Sequence, residues 1–268
     1  MKKYLIRITQ IILFLNIIFI SQSQELEIEG SILLKENHDS SAAHPGTIRW
    51  TGKDFEGFNG VFWISLTGGV QIDTVHDVEG NIYRTLSIAG RDWMIDNLRT
   101  TSYQDGTSIP IVEDAIIWSG LAIGAACWYD NDSLTYGDDY GALYNWYAGT
   151  GGDLCPTGWS VPTKVEYQTL IDSLGGALLA GLKLKEAGNE HWQDPLGENS
   201  SGFTARPGGQ RGVNQLFEKI TTNGHFWTAD EFSGSTGHYL KLESNDNSAT
   251  VQPFTSKNYG MSIRCIKD

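Results

Sequence analysis

The chain has 268 residues, a formal net charge of −13 and 40% hydrophobic residues, enough for one large domain or two. An acidic chain repels phosphate, so nucleic acid and anionic membrane surfaces are excluded as ordinary partners. Thirty-one Gly favour tight turns over long helices, while nine Trp, eleven Tyr and ten Phe supply a substantial core.

Residues 1–23 read as a secretory signal peptide. Lys2, Lys3 and Arg7 give a basic start, residues 11–20 are apolar apart from Asn16, and Ser21 and Ser23 suit cleavage before Gln24. The apolar run is far short of the ~20 residues a membrane span needs, and no later run could span. Removing three basic residues and no acidic one takes the net charge from −13 to −16. Export to the cell surface or beyond permits a disulfide.

Residues 24–70 read as an extended segment and a small β module. "LEIEGSILL" suits a strand, and "ENHDSSAAHPG" has the composition of a linker. "GTIRW", "FEGF" and "VFWISL" follow as a meander, with Asn59-Gly60 as a hairpin turn because both residues tolerate positive φ. So short a meander cannot bury Trp50, Phe58, Phe62 and Trp63 alone. It must pack on the main domain or on copies of itself.

The main domain begins near residue 70. "GNIYRTLSIAGRDWMIDNLR" predicts two strands joined by a turn at Ala89-Gly90 or a slightly shifted pair. Residues 141–148, "GALYNWYA", suit a short helix, and residues 158–162 a strand. Thr163, with Glu166 three residues on, is a capping box, in which each side chain satisfies an orphan backbone donor. Tyr167, Leu170, Ile171 and Leu174 then form one apolar helix face that ends at Gly175-Gly176. Residues 189–222 read as a long Gly-rich loop region. "HFWTAD", "HYLKLES" and "GMSIRCIK" are strand candidates.

The pieces "GNIYRTLSIAGRDWMIDNLRT", "YGALYNWYA", "LCPTGWSVPT", "SGFTARPGGQR", "FWTADEF" and "GMSIRCIKD", in that order, resemble the Fibrobacter succinogenes major paralogous domain family over residues 72–268. That family is similar in turn to C-type lectin-like and formylglycine-generating-enzyme-like domains. The resemblance implies an α+β, C-type lectin-like domain with two short helices, at 141–148 and 163–174, mixed and antiparallel strands and long Gly-rich loops. It also places Cys155 and Cys265 at the helix-to-last-strand disulfide of lectin-like domains. The alternative is three free structural Cys. Residues 44–69 separately resemble short modules of surface and tail-fibre-like proteins, which often trimerise. A homotrimer through residues 24–70 is the corresponding expectation.

Chemistry is harder to place. A formylglycine-generating oxidase uses a pair of reactive Cys, and no spare pair remains once Cys265 is structural. Cys127, in "AACWYD", reads as a small buried hydrophobe. The calcium-dependent sugar site of C-type lectins uses E-P-N and W-N-D triplets. Here Glu198-Asn199 lacks the Pro, and Asn245-Asp246 follows Ser244. Residues 130–139, "DNDSLTYGDD", cluster four carboxylates of the kind calcium favours. Leu134 and Thr135 break the EF-hand pattern, so the run reads as a solvated acidic loop, with no metal site and no cofactor. The six His show no zinc spacing, and neither a G-x-S-x-G elbow nor a P-loop occurs.

The expected function is therefore a secreted, non-enzymatic module for glycan or protein. The alternatives are a structural part of an extracellular assembly and a divergent enzyme. Its ligand face is expected on the loops from His191 to Asn223. Trp192 reads equally as a stacking platform or a core plug. Asp194, Glu198, Asn199 and Arg211 would orient a hydroxyl-rich partner.

Overall fold

The computed structural model describes residues 46–50, 55–58, 63–66, 72–194, 196–214 and 216–268. The expected signal peptide, the segment 24–45 and the Asn59-Gly60 turn lie outside the described residues. The chain divides into two units between Gly69 and Val70. In the first, β1 (Ile48–Trp50), β2 (Phe55–Phe58) and β3 (Trp63–Ser65) form an antiparallel sheet in chain order. Trp50 pairs with Phe55 across it, their rings 4.8 Å apart.

The second unit opens with β4 (Asp73–His76), β5 (Ile82–Ile88) and β6 (Arg91–Met94). Ala89 and Gly90 join the last two with φ of 53° and 78°. Positive φ at both central residues matches the right-handed twist of the strands, and this is the predicted turn. There follow α1 (Ala115–Ser119), β7 (Ala126–Cys127), a 3-10 turn (Tyr129–Asn131), α2 (Ser133–Tyr140), β8 (Leu143–Tyr144) and α3 (Trp146–Thr150).

Two expectations are corrected here. The acidic stretch 130–139 is no open loop. Asp132 caps α2, accepting from the Leu134 and Thr135 amides at 3.1 and 3.0 Å. The stretch 141–148 is not one helix either. Gly141 has φ 71°, and a Cβ there would lie 2.6 Å from the Leu98 carbonyl oxygen. Leu143 and Tyr144 pair with Cys127 and Ala126 as a short strand, and the helix begins only at Trp146. Asn145 caps it, its Oδ1 accepting from the Ala148 amide at 3.0 Å.

Next come β9 (Trp159–Ser160), α4 (Lys164–Ser173) and α5 (Ala177–Leu184). The capping box of α4 forms as predicted. The Glu166 amide donates to Thr163 Oγ1 at 3.2 Å, and the Thr163 amide donates to Glu166 Oε2 at 2.8 Å. Gly175 and Gly176, φ 100° and 87°, terminate α4. The region 189–222, read as loop, contains β10 (Gly208–Arg211) and β11 (Phe217–Ile220). The long strands β12 (Asn223–Ser233), β13 (Thr236–Glu243) and β14 (Ala249–Ser256) follow. "GMSIRCIK" is mostly irregular and contributes only β15 (Ile266–Lys267).

The result is an α+β, sheet-rich domain. One five-stranded sheet runs β4-β5-β6-β15-β9, the other β11-β10-β12-β13-β14. The second sheet is mixed, since β10 and β12 are parallel. The buried face of α4 (Tyr167, Leu170, Ile171) packs in one core with Trp93, Phe203, Phe226 and Leu240. A second core gathers Tyr144, Trp146, Trp227 and Ile263 around Cys155 and Cys265. These two cysteines are bonded, 110 residues apart, and Cys127 is free and buried. Among the described residues, no helix is long and apolar enough to cross a membrane.

Candidate functional site

A ligand site needs groups that folding leaves available, and folding engages most of the loop residues named from sequence. Trp192 is 1% exposed, and its indole Nε1 donates to the Ala205 carbonyl at 2.8 Å. It is a core plug, with no ring face open to a sugar, because its apolar area finds Phe203 and Phe226 nearer than solvent. Arg211 is also buried. Its two Nη atoms donate to the carbonyls of Val112 and Glu113 at 2.6 and 2.7 Å, and its guanidinium lies over the rings of Trp118 and Phe217. Asn199 bonds the Thr204 amide and hydroxyl within its own loop, and Asp194 accepts from Ser244 Oγ at 2.9 Å. Glu198 alone of the five is largely open to solvent. The five residues thus serve different tasks, and Trp192 and Arg211, each 1% exposed, offer a ligand no surface.

The same regions hold buried cations that sequence reasoning passed over. Lys185 Nζ donates to the carbonyls of Glu243, Ser244 and Asp246 and sits 5.4 Å from the Trp192 ring centre. Arg264 bonds Asn97 Oδ1 and the carbonyls of Phe203 and Thr204 while stacking on Phe203 and Phe226. Lys257 lies over Trp146 at 4.1 Å and pairs with Glu231 at 3.0 Å. Each ties an irregular segment to a ring-lined core, where a buried charge is tolerated only if its donors are satisfied. A fourth cluster joins the end of α2 to the long loop. His191 Nδ1 lies 2.6 Å from Glu186 Oε2, and Arg206 bridges Glu186 and Asp139. This is a carboxylate-oriented imidazole, but its outer nitrogen faces the Asp139 carboxylate at 3.5 Å, not a hydroxyl or thiol. It fits a clasp better than a nucleophile–base pair.

Burial also sets the chemistry of two reactive groups. The Cys127 thiol is pushed up to about 12, which keeps it protonated and inert. His225, on β12, is pulled down to about 3 by burial, with Lys219 and Lys241 adding repulsion. Its ring packs edge-on to Tyr239, and Asn223 Nδ2 lies 3.4 Å from its Nε2. Above pH 6.5 both the folded and the unfolded imidazole are neutral. As pH falls from 6.5 towards 3 the unfolded chain gains a proton that the native state refuses, so stability is lost on acidification. The expected loss is up to about 1.4 kcal/mol per pH unit in that window. His225→Phe should remove this component. Urea unfolding of both proteins at pH 7 and pH 4 is the check, and an identical acid loss in both would refute it.

A concave surface does exist elsewhere. The outer side of α4 faces the ends of β12, β13 and β14 across an open groove of about 600 Å³. Lys164, Val165, Gln168, Thr169 and Asp172 line the helical wall. They recur at the spacing that places residues on one face of a helix, opposite the buried stripe. Phe232, His238, Val251 and Pro253 line the sheet wall. Val165 is 64% exposed and Phe232 43% exposed, while His238 is buried behind the Phe232 ring, 5.3 Å centre to centre. The walls are fixed to each other. Asp230 on β12 accepts from the first amide of α4, and the Ala229 amide donates to the Pro162 carbonyl at 2.9 Å. The helical wall was legible in the sequence as the polar face of an amphipathic helix. The sheet wall was not, because it depends on which strands lie opposite.

The family model for the Fibrobacter succinogenes major domain matches residues 86–267, from β5 to β15. The chain belongs to that family. No curated protein and no solved structure matches it. Set on the structure, three motifs of this Fibrobacter succinogenes major domain are scaffold, whereas "FWTADEF" ends on the groove residue Phe232. "LCPTGWSVPT" carries the bonded Cys155, β9 and the cap of α4. "SGFTARPGGQR" supplies Phe203, Arg206 and Arg211, and "GMSIRCIKD" supplies Arg264 and Cys265. None of these residues lines the groove.

Proposed function

We propose that this protein is an exported, non-enzymatic binding module on a C-type lectin-like fold, taking glycan or protein in the groove between α4 and the β12–β14 sheet. The groove carries the reading. It is concave, rigid at its hydrogen-bonded end, and mixes exposed apolar surface with a few polar groups, as ligand sites do. The lectin-like fold is supported by the Cys155–Cys265 bridge, which links the segment before the principal helix to the last strand. Export is supported by the same bridge, which persists in oxidising compartments. Residues 24–70 would project or oligomerise the domain.

Val165→Arg tests the reading, because it lays a long charged side chain across the groove from an exposed position. Glycan-array and pull-down binding of the mature protein should be lost, while the melting midpoint stays unchanged. Unaltered binding would move the ligand face elsewhere.

A further inference from the structure

Resting on the groove as ligand face, the geometry points to a neutral oligosaccharide as its occupant, held by the Gln168–Asp172 pair against the Phe232 ring.

The polar wall is prepared for hydroxyl groups. Gln168 Nε2 donates to Asp172 Oδ1 at 2.9 Å, one helical turn apart. That bond sets both planar groups side by side. The amide keeps a second N–H and its oxygen, and the carboxylate keeps its other oxygen, so donors and acceptors stand together. Adjacent sugar hydroxyls each donate and accept, and they complement such a pair. Across the groove, Phe232 is half-exposed with His238 behind it, giving an apolar ring surface suited to the C–H face of a pyranose.

Charge selects a neutral ligand. Lys164 and Asp172 stand at opposite ends of the helical wall and cancel. Asp230 is engaged by the α4 backbone, and Glu231 by Lys257. A peptide adding as an extra strand is disfavoured. β14 is the sheet edge, and Pro253 within it has no amide to offer.

The experiment is titration calorimetry of the mature full chain with short neutral gluco-, manno-, galacto- and xylo-oligosaccharides. Saturable binding of at least one is expected. Gln168→Ala and Asp172→Ala should each weaken it by about tenfold, the loss of one to two hydrogen bonds. Both side chains are exposed, so the melting midpoint should hold. Failure of every neutral oligosaccharide at millimolar concentration overturns the inference, as does binding indifferent to both substitutions. Gln168→p-benzoylphenylalanine, irradiated on living cells, separates the two levels. If the sugars fail but the cross-linker captures a protein, the groove remains a ligand face and the saccharide falls. If both fail, the groove reading falls too.

Discussion

Trp192→Ala should lower the unfolding free energy by about 3–5 kcal/mol, as truncation of a large buried side chain does. Three losses combine. The first is packing, because the ring is 1% exposed in a core with Phe203, Phe226 and Leu184, and lies within 3.4 Å of where a Cβ on Gly224 would be. The second is the hydrogen bond to the Ala205 carbonyl. This costs less than an orphaned acceptor would, since the Glu186 amide also donates there at 3.1 Å. The third is the ring beneath Lys185. That ammonium keeps its three carbonyl acceptors, so the charge stays satisfied. Trp192→Phe should recover much of the packing and cost about 1 kcal/mol for the missing donor. Urea unfolding of the three proteins decides the matter. A Trp192→Ala protein within about 1 kcal/mol of the parent would contradict the burial and reopen the ring as a ligand platform.

Removing the disulfide should cost a similar amount by another route. Joining residues 110 positions apart withdraws loop-closure entropy from the unfolded chain, nominally ~4–5 kcal/mol. The backbone at both cysteines is also held by hydrogen bonds. Gln104 Nε2 donates to the Cys155 carbonyl at 2.6 Å, and the Met94 amide donates to the Cys265 carbonyl at 2.9 Å. A Cys155→Ala, Cys265→Ala protein should therefore keep its near-ultraviolet signature at room temperature while its denaturation midpoint drops. Denatured, unreduced parent protein should titrate one thiol, that of Cys127. Two or more free thiols, or a mapped bridge that includes Cys127, would be incompatible with the structure.

The disulfide came from family resemblance, not from spacing, because three cysteines allow more than one pairing. Other features were legible for local reasons. The Ala89-Gly90 turn and the Thr163–Glu166 capping box involve residues within three or four positions of one another. Steric freedom at φ and the reach of one side chain settle them before any tertiary contact exists. The helix over residues 163–174 belongs with them, since its stripe of Tyr167, Leu170 and Ile171 repeats within a few turns.

Tertiary partners decided the rest. Residues 141–144 have the composition of a helix, yet the crowding of Gly141 against Leu98 and the pairing of Leu143 with Cys127 make them a strand. Trp192 sits among polar neighbours in sequence, and its burial depends on Phe203 and Phe226, which the chain reaches later. Arg211 looked available for a ligand until the carbonyls of Val112 and Glu113, about a hundred residues earlier, claimed its guanidinium. The groove is of the same kind. The sequence by itself determined its helical wall, the Thr163–Glu166 cap, the Ala89-Gly90 turn and the family, because short-range sterics and periodicity act within a few residues. Only the tertiary structure decided which rings are buried, which charges are satisfied and which concave surface remains, because those depend on contacts whose partners sequence separation does not reveal.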